Sequence, residues 1–213
     1  MFAIIKVNHN EKEGVANMDP IEVFLRTQLG VSDEALIRQA MQVICIRELK
    51  KGECLVRQGE CLTDLCFLIK GVVRGFLLDY QGNEMTDCFG FKPGQGLLPS
   101  PDFDVQSLIT IQAEEDCQII AIPVQMVQFL IHNSLEVSRI YNRMLIEYYR
   151  TNWEWKIAFR QYNAVQRYEW FLREYEGLID RVPHVHIASF LGISPVTLSR
   201  LRGKLKGQKK DIL

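Results

Sequence analysis

The spacing of apolar residues changes along the chain, and the first stretch has the period of helices. Between residues 19 and 41 the apolar positions lie three to four residues apart, at Ile21, Phe24, Leu25 and Leu29. Asp19 followed by Pro20 is a helix start, because aspartate caps a first turn and proline fits the first helical position. Gly30 ends this helix, and Ser32 is placed to cap the next one. The pattern predicts two short helices.

From residue 43 to residue 123 short apolar runs alternate with turn signals. The turns contain Lys51-Gly52, Gln58-Gly59, Lys70-Gly71, Gln81-Gly82 and Pro93-Gly94. The stretch GVVRGFLLDYQGNEMTDCF predicts a hairpin that turns at residues 80–83, and CQIIAIP predicts a last strand that Pro123 ends. Regular spacing of this kind predicts a small all-β barrel or roll.

From residue 124 to residue 162 the pattern becomes helical again, and neither proline nor glycine interrupts the helical part. Apolar and small residues follow one another at alternating intervals of four and three: Val137, Tyr141, Met144, Tyr148, Thr151, Trp155, Ala158 and Tyr162. This is a heptad seam, on a helix about 40 Å long. Ile146, Tyr149 and Trp153 form a second stripe. Two stripes predict that one face of the helix packs on the chain's own domain and the other packs on a partner chain.

The favoured arrangement is a parallel two-helix dimer. Its predicted interface residues are Val137, Tyr141, Met144, Tyr148 and Trp155. The alternative is a long helix that packs only on its own domain.

After a helix predicted over 164–175 and a break at Gly177, HIASFLGISPVTLSR has the pattern of two short helices that meet at a tight turn. Gly192 permits the positive φ of that turn, and Ile193 is an apolar anchor. Ser194 caps the second helix, and Pro195 is its first residue. The pattern predicts a helix-turn-helix whose second helix fits the DNA major groove. The alternative is an ordinary helical hairpin.

Charge supports the DNA-binding interpretation. The chain has a net charge of −1, yet residues 182–213 hold six basic groups and a single acid. The predicted DNA-binding residues are Ser194, Pro195, Val196, Thr197, Ser199, Arg200, Arg202 and Lys204. We expect Arg200 to contact a base edge and Arg202 or Lys204 to hold phosphate. If Arg200 contacts only phosphate, Val196 and Ser199 remain as the base-reading residues.

Composition and motifs exclude several other classes. Hydrophobic residues make up 47% and charged residues 24% of the chain, which is ordinary for a globular protein. No apolar run is long enough to span a membrane, and the first residues do not resemble a signal peptide, so we expect a cytoplasmic protein without a membrane partner. No phosphate-binding loop, zinc-protease motif or nucleophile elbow is present, so neither an enzyme nor a metal site is predicted.

Six cysteines, at positions 45, 54, 61, 66, 88 and 117, form no CxxC pair. The favoured interpretation is buried, reduced thiols in a β core. A redox or iron–sulfur sensor is the alternative, although clusters are usually held by closely grouped cysteines.

The order of the parts resembles the cyclic-AMP receptor protein and FNR-type (Crp/Fnr) transcription regulators. LKKGECLVRQGE, CFLIKGVVRGFLLDYQGNE and QAEEDCQIIAIP resemble that family's β-roll, and HIASFLGISPVTLSRL is similar to its recognition motif. The resemblance implies an α+β fold with three parts: a cyclic-nucleotide-binding-like β-roll and N-terminal helices (1–123), a long dimerisation helix (124–162) and a winged helix-turn-helix domain (163–213). It also implies a homodimer that binds double-stranded DNA, a small-molecule effector and RNA polymerase.

The segment that matches the family's effector site departs from its pattern. The residues there are Gly96, Leu97, Leu98, Pro99, Gln106 and Ser107. Gln106 stands where the family's arginine neutralises a cyclic phosphate, and Leu98-Pro99 stands near its glycine–glutamate pair. Pro99 and Pro101 also lack amide donors. Cyclic AMP is therefore not expected as the effector.

No cofactor is predicted. No cysteine group lies in the first 44 residues to hold an FNR-type cluster, and His132, which a haem would need as axial ligand, is interpreted as a surface histidine. A function of another class also fits the pattern: a dimeric redox or small-molecule sensor or interaction module that does not regulate genes.

Overall fold

The structure, a computed structural model, describes residues 19–100 and 102–210, and the side chains of its last helix as far as Lys204. The helices are α1 (Pro20–Phe24), which continues as a π-helical turn (Leu25–Leu29), α2 (Glu34–Ala40), α3 (Val124–Asn133), α4 (Leu135–Gln161), α5 (Ala164–Glu174), α6 (His184–Leu191) and α7 (Pro195–Lys210). A single 3₁₀ turn (Leu178–Asp180) precedes α6.

The N-terminal helices begin at aspartates. The Asp19 carboxylate accepts a hydrogen bond from the N–H of Ile21, as the sequence predicts. The predicted cap at Ser32 is wrong, because Asp33 caps α2. The Ser32 hydroxyl and N–H both donate to the Glu136 carboxylate on α4, and these bonds tie the N-terminal helices to the long helix.

The described residues between 45 and 123 form two four-stranded antiparallel sheets. The strands are β1 (Cys45–Leu49), β2 (Cys54–Val56), β3 (Asp64–Lys70), β4 (Val73–Leu78), β5 (Glu84–Gly90), β6 (Gly96–Leu97), β7 (Thr110–Ala113) and β8 (Cys117–Pro123). One sheet has the order β1-β8-β3-β6 and the other β2-β7-β4-β5. The predicted all-β unit is confirmed. Leu68 and Ile119 are completely buried between the sheets, because alternate residues of a strand face the interior.

The hairpin of β4 and β5 turns where the sequence predicts. The Asp79 carboxylate accepts from the N–H of Gln81 and of Asn83, so it fixes the turn. Further along the hairpin the register shifts between Gly75 and Phe76. Such an irregularity bends and twists a hairpin and redirects its backbone groups.

The single helix predicted over 124–162 is wrong. The chain breaks at Ser134, which has φ −130° and ψ 116°, between α3 and α4. The Ser134 hydroxyl caps α4 by accepting from the N–H of Val137 at 3.3 Å. Serine stabilises a helix start through this bond, so a break needs neither proline nor glycine.

Residues 163–210 form helices joined by turns and contain no strand, so the strands of a wing do not occur in this described part of the chain. Asn163 begins α5 with a capping box that includes Gln166. Phe171, Leu178, Ile187 and Leu198 are almost completely buried in the core of these helices. Val72 and Phe89 of the β-roll join the same core, so the two parts are packed on each other. No helix among the described residues is long and apolar enough to cross a membrane.

Candidate nucleic-acid interface and effector segment

The turn between α6 and α7 has the geometry that the sequence predicts. Gly192 has φ 62°, in the left-handed region, and its N–H donates to the carbonyl of Ser189. A Cβ atom on Gly192 would lie 2.6 Å from Cε2 of Phe159, so only glycine fits. Ser194 then starts α7, since its Oγ accepts from the N–H of Thr197 at 3.1 Å.

The two sides of α7 differ. Leu198 and Leu201 are buried against the other C-terminal helices. Val196 is 61% exposed, and Ser199 and Arg200 are also exposed. Residues three and four apart share one side of a helix, so these three exposed residues form a single outward face. The predicted base-reading residues thus lie together on the accessible side of α7.

The remaining predicted DNA-binding residues divide into two groups. Pro195 and Lys204 are exposed, at opposite ends of the described part of α7. Thr197 is half-buried, and its hydroxyl contacts that of Ser194 at 2.9 Å. The hydroxyls of Ser194 and Thr197 therefore stabilise the start of α7, which presents the outward face. Because these hydroxyls already contact each other, they are less available to a ligand.

Arg202 lies on the flank of α7 beside a residue that the sequence interpretation missed. Its Nη1 is 2.9 Å from Nδ1 of His184, the first residue of α6. With Ser199 and Pro195 they line a cleft of about 370 Å³. An arginine, an imidazole and a hydroxyl around one cleft suit an anionic oxygen. The sequence interpretation missed His184 because it lies two residues before the start of the helix-turn-helix pattern at His186.

In the effector segment, Gly96 and Leu97 are strand residues of β6. They pair with Phe67 and Cys66 of β3, so their backbones belong to the sheet. A Cβ atom on Gly96 would lie 3.1 Å from the methyl group of Met144 on α4. The long helix therefore closes tightly over this point of the β-roll.

The rest of the segment is a loop whose two ends meet. The N–H of Leu108 donates to the carbonyl of Pro99 at 3.1 Å. Ser107 is buried, and its hydroxyl donates to the carbonyl of Ile109 while its N–H donates to that of Glu60. Gln106 is exposed, and Pro101 lies outside the described residues. The structure brings Pro99 next to Leu108, the neighbour of Ser107, and leaves Gln106 at the surface.

Residues 46–134 match the family model of the cyclic nucleotide-binding domain. A solved structure of similar architecture comes from Eubacterium rectale and is described as a Crp/Fnr family transcriptional regulator. It has a TM-score of 0.65 and 18% identity, and the match covers 83% of this chain and 85% of that chain. This chain has the Crp/Fnr fold. The resemblance seen in the sequence is confirmed. No curated protein matches the sequence.

Two further structures share the Crp/Fnr fold. FixK2 from Bradyrhizobium japonicum has a TM-score of 0.72 and 18% identity, and the match covers 78% of this chain and 86% of that chain. The global regulator CLP from Xanthomonas campestris, described as responsive to c-di-GMP, has a TM-score of 0.64 and 15% identity over 83% of this chain and 93% of that chain. At these identities the likeness establishes the fold.

The match to the cyclic nucleotide-binding domain implies a cyclic-nucleotide site, and the residues present do not fit one. The Ser107 hydroxyl and N–H are used within the protein, and the neutral Gln106 cannot balance a phosphate charge. The arginine buried in this β-roll is Arg74, which is paired with Glu84 and Glu114. An arginine already held between two carboxylates is not free for a ligand anion.

The long helix α4 of this Crp/Fnr fold carries its two apolar stripes on opposite sides. Val137, Tyr141 and Met144 line an apolar cavity of about 70 Å³ within the chain. The Trp155 ring stacks on Phe159 and packs near Phe190. Most of the seam predicted for the dimer therefore contacts the chain's own β-roll and C-terminal helices, and Tyr148 is 38% exposed.

The opposite side of α4 is apolar and exposed. The exposed fractions are 69% for Ile146, 64% for Tyr149, 56% for Trp153 and 44% for Ile157. Met144 and Trp153 are nine residues apart, and at 100° per residue they point in opposite directions. We call Ile146, Tyr149, Trp153 and Ile157 the outer stripe.

All six cysteines are free thiols, but the expectation that most are buried holds only in part. Cys66 and Cys117 are buried, whereas Cys45 and Cys61 are exposed. Burial raises the pKa of Cys66 to about 12, so its thiol is protonated and unreactive at neutral pH.

Proposed function

We propose that this protein is a DNA-binding transcription regulator that acts as a homodimer. The observation that carries the proposal is the outward face of α7, where Val196, Ser199 and Arg200 are exposed on a helix fixed by Gly192 and Ser194. A helix presented in this way can enter a major groove, with its N-terminal half toward the base edges.

In the proposed complex Arg200 contacts a base, most favourably guanine. A guanidinium can donate two hydrogen bonds to O6 and N7 of guanine, and such a pair discriminates by about 1–3 kcal/mol. Arg202 and His184 are assigned to a phosphate, because their cleft lies at the edge of the outer face. Lys204 adds a further positive charge near the DNA backbone.

The homodimer is proposed to form through the outer stripe. A contiguous apolar face on a 27-residue helix is unusual on a monomer and typical of an interface. Because the stripe runs along α4, two copies would align their long helices as the family resemblance implies. This proposal moves the dimer contact from the seam of Val137, Tyr141 and Met144 to the opposite side of the helix.

The effector and RNA polymerase remain proposed partners. The β-roll is proposed to bind a small molecule other than cyclic AMP, because Gln106 carries no charge and Arg74 is already paired with two carboxylates. CLP, with the same fold, is described as responsive to c-di-GMP, so this fold is compatible with other ligands.

The test is selection of binding sites from random DNA, followed by titrations with variants. Arg200→Ala should lose affinity chiefly at one base position of each half-site and tolerate substitutions there. Arg202→Ala should lose affinity evenly across sequences, and its salt slope should fall by about one unit. Arg173→Ala, at an exposed arginine on α5, is the matched control and should bind like the wild type.

Two results would contradict the proposal. If selection enriches no sequence and the protein binds DNA no better than a control protein, the sensor or interaction module without gene regulation is the better interpretation. If Arg200→Ala loses affinity evenly, Arg200 is a positioning residue and base reading passes to Val196 and Ser199.

A further inference from the structure

A small group of buried charges fastens the first helix of the helix-turn-helix to the β-roll. Arg74 on β4 is 1% exposed. Its Nε lies 3.1 Å from Oε1 of Glu114, the residue after β7. The same carboxylate oxygen lies 2.8 Å from Nδ1 of His186 on α6. One buried carboxylate is therefore shared between the two parts of the molecule. We call Arg74, Glu114 and His186 the carboxylate cluster.

The carboxylate cluster is poorly satisfied for a buried group. Nε of Arg74, Oε1 of Glu114 and Nδ1 of His186 are all buried, and none has a well-aligned hydrogen bond among the described residues. A buried ion pair recovers its desolvation cost only when its geometry is good. A cluster of this kind favours one docked position of α6 more than it stabilises the contact.

Two polar contacts flank the cluster. The Ser189 hydroxyl on α6 accepts a hydrogen bond from the N–H of Thr86 at 3.0 Å. Thr86 lies at the register shift of the β4–β5 hairpin, where its N–H is directed away from the sheet. On the other side, Arg181 donates to the Glu115 carboxylate at 2.6 Å and to the carbonyl of Gly71 at 3.2 Å.

The apolar part of the contact is confined to a few side chains. The rings of Phe89 on β5 and Phe190 on α6 meet edge to face at 5.4 Å. Since α6 shares its core with Leu198 and Leu201 of α7, we expect the two helices to move as one unit. The position of α6 on the β-roll therefore determines the direction of the exposed face of α7.

We propose that this contact is a latch between the effector domain and the DNA-binding helix. The carboxylate cluster holds α6 against the β-roll, and release of the cluster frees α7 to change its direction. Arg74, its partner Glu84 and Thr86 all belong to the β4–β5 hairpin, so the latch joins this hairpin to α6. The role in regulation rests on the DNA-binding function proposed above.

The latch should also respond to acid. The groups that face His186 are Arg74 on β4, Glu84 on β5 and Glu114 after β7. Burial, and next the Arg74 charge, lower the pKa of His186 below its usual 6.5. The docked form then binds a proton less tightly than the released form. Docking is complete above about pH 6.5 and weakens as the pH falls toward the lowered pKa, because protonation favours release.

The N–H of Thr86 reports on the latch directly, because its hydrogen bond crosses the contact. Hydrogen exchange of this amide is measured in the intact protein as a protection factor, which removes the intrinsic effect of pH on exchange. Glu114→Gln should lower the protection of Thr86 at least tenfold and change operator affinity at least tenfold, although Glu114 is not on α7. Glu48→Gln, an exposed carboxylate on β1, is the matched control and should change neither.

Further variants keep the test decisive if Glu114→Gln does not fold. Arg181→Gln and Ser189→Ala act at the edge of the contact and should lower Thr86 protection in the same direction. In the wild type, protection should fall between pH 7 and pH 5, and His186→Gln should remove that dependence. Unchanged protection in Glu114→Gln and Arg181→Gln, with no effect of pH, overturns the latch; Ser189→Ala removes the acceptor of the Thr86 N–H and serves as the reference for the broken bond.

The latch and the proposed function fail separately. If the wild type binds no DNA but Thr86 protection responds as expected, the contact opens and the gene-regulatory role fails. If operator binding is normal and unaffected by variants that lower Thr86 protection, the contact opens without controlling α7, and the latch is rejected.

Discussion

At the scale of single residues, glycine and serine decide the shape of the candidate interface. Gly192 holds a left-handed turn under the ring of Phe159, and Ser194 closes the first turn of α7. Neither residue is expected to contribute affinity through a base contact. Their role is to present Val196, Ser199 and Arg200 on one face, so that the proposed DNA binding also depends on residues that are not expected to touch a base.

Gly192→Ala should destabilise the protein by about 1–3 kcal/mol, because alanine is strained at φ 62° and its Cβ would clash with Phe159. The measurement is the free energy of unfolding in urea. Gly203→Ala is the control, since no atom lies within 4 Å of that position and alanine favours a helix. It should leave stability unchanged or raise it by about 0.5–1 kcal/mol. Equal effects of the two substitutions would contradict the turn geometry.

Gln106 leads to a second prediction at this scale. Loss of a charge-assisted phosphate contact costs about 1.5–3 kcal/mol, so cyclic AMP should bind at least tenfold more weakly than to a site with arginine. Calorimetric titration at physiological salt should detect no micromolar binding. Gln106→Arg should strengthen whatever binding is found, because position 106 is exposed and can accept the longer side chain. Micromolar binding by the wild type would contradict this prediction.

At the scale of elements, α4 shows why an apolar pattern does not by itself identify an interface. The 4-3 seam packs mainly on the chain's own β-roll and C-terminal helices, while the outer stripe is left to a partner. Both stripes are visible in the sequence. Only the tertiary structure shows which side of the helix is already covered.

The outer stripe of α4 leads to a prediction about the dimer. Ile146→Glu combined with Trp153→Glu should give monomers by light scattering, because two charges would be buried in an apolar contact. Thr151→Glu, exposed elsewhere on α4, should leave the dimer intact. Met144→Ala should instead lower the free energy of unfolding by about 2–5 kcal/mol at unchanged mass, since Met144 packs within the chain. A stable dimer of the double variant would place the interface elsewhere.

At the scale of the whole molecule, the β-roll and the C-terminal helices share one core. Val72 and Phe89 belong to the β-roll, yet they are buried in the same cluster as Phe190 and Leu198. The carboxylate cluster lies beside this apolar contact. Two parts that share buried side chains are expected to unfold together, whereas parts joined only by a linker unfold separately.

Thermal unfolding of the wild type should therefore show one transition, with equal calorimetric and van't Hoff enthalpies for the cooperative unit. Phe89→Ala should cost about 3–5 kcal/mol and separate the C-terminal helices into an earlier transition, because Phe89 contacts Phe190 across the junction. Phe91→Ala, whose ring is only partly buried against this core, is the milder comparison. Two separate transitions in the wild type would contradict a shared core.

The sequence by itself determined the features that depend on neighbouring residues. The order of helices and strands, the β4–β5 turn, the turn at Gly192 and the cap at Ser194 all follow from local backbone chemistry. The break at Ser134 was missed because serine occurs both within helices and at their N-caps, so the residue type alone does not show which position it takes. The choice of Asp33 over Ser32 depended on Glu136, which is distant in the chain.

The tertiary structure alone decided which surfaces meet. Arg74, Glu114 and His186 lie far apart in sequence and come together only when α6 packs on the β-roll. The inner side of α4 is determined in the same way. It lines a cavity whose other walls come from the N-terminal helices, β3, β8 and α3. Such contacts depend on how complete elements pack, and no local pattern encodes them. For that reason the exposed face of α7 was predictable from the sequence, and its attachment to the β-roll was not.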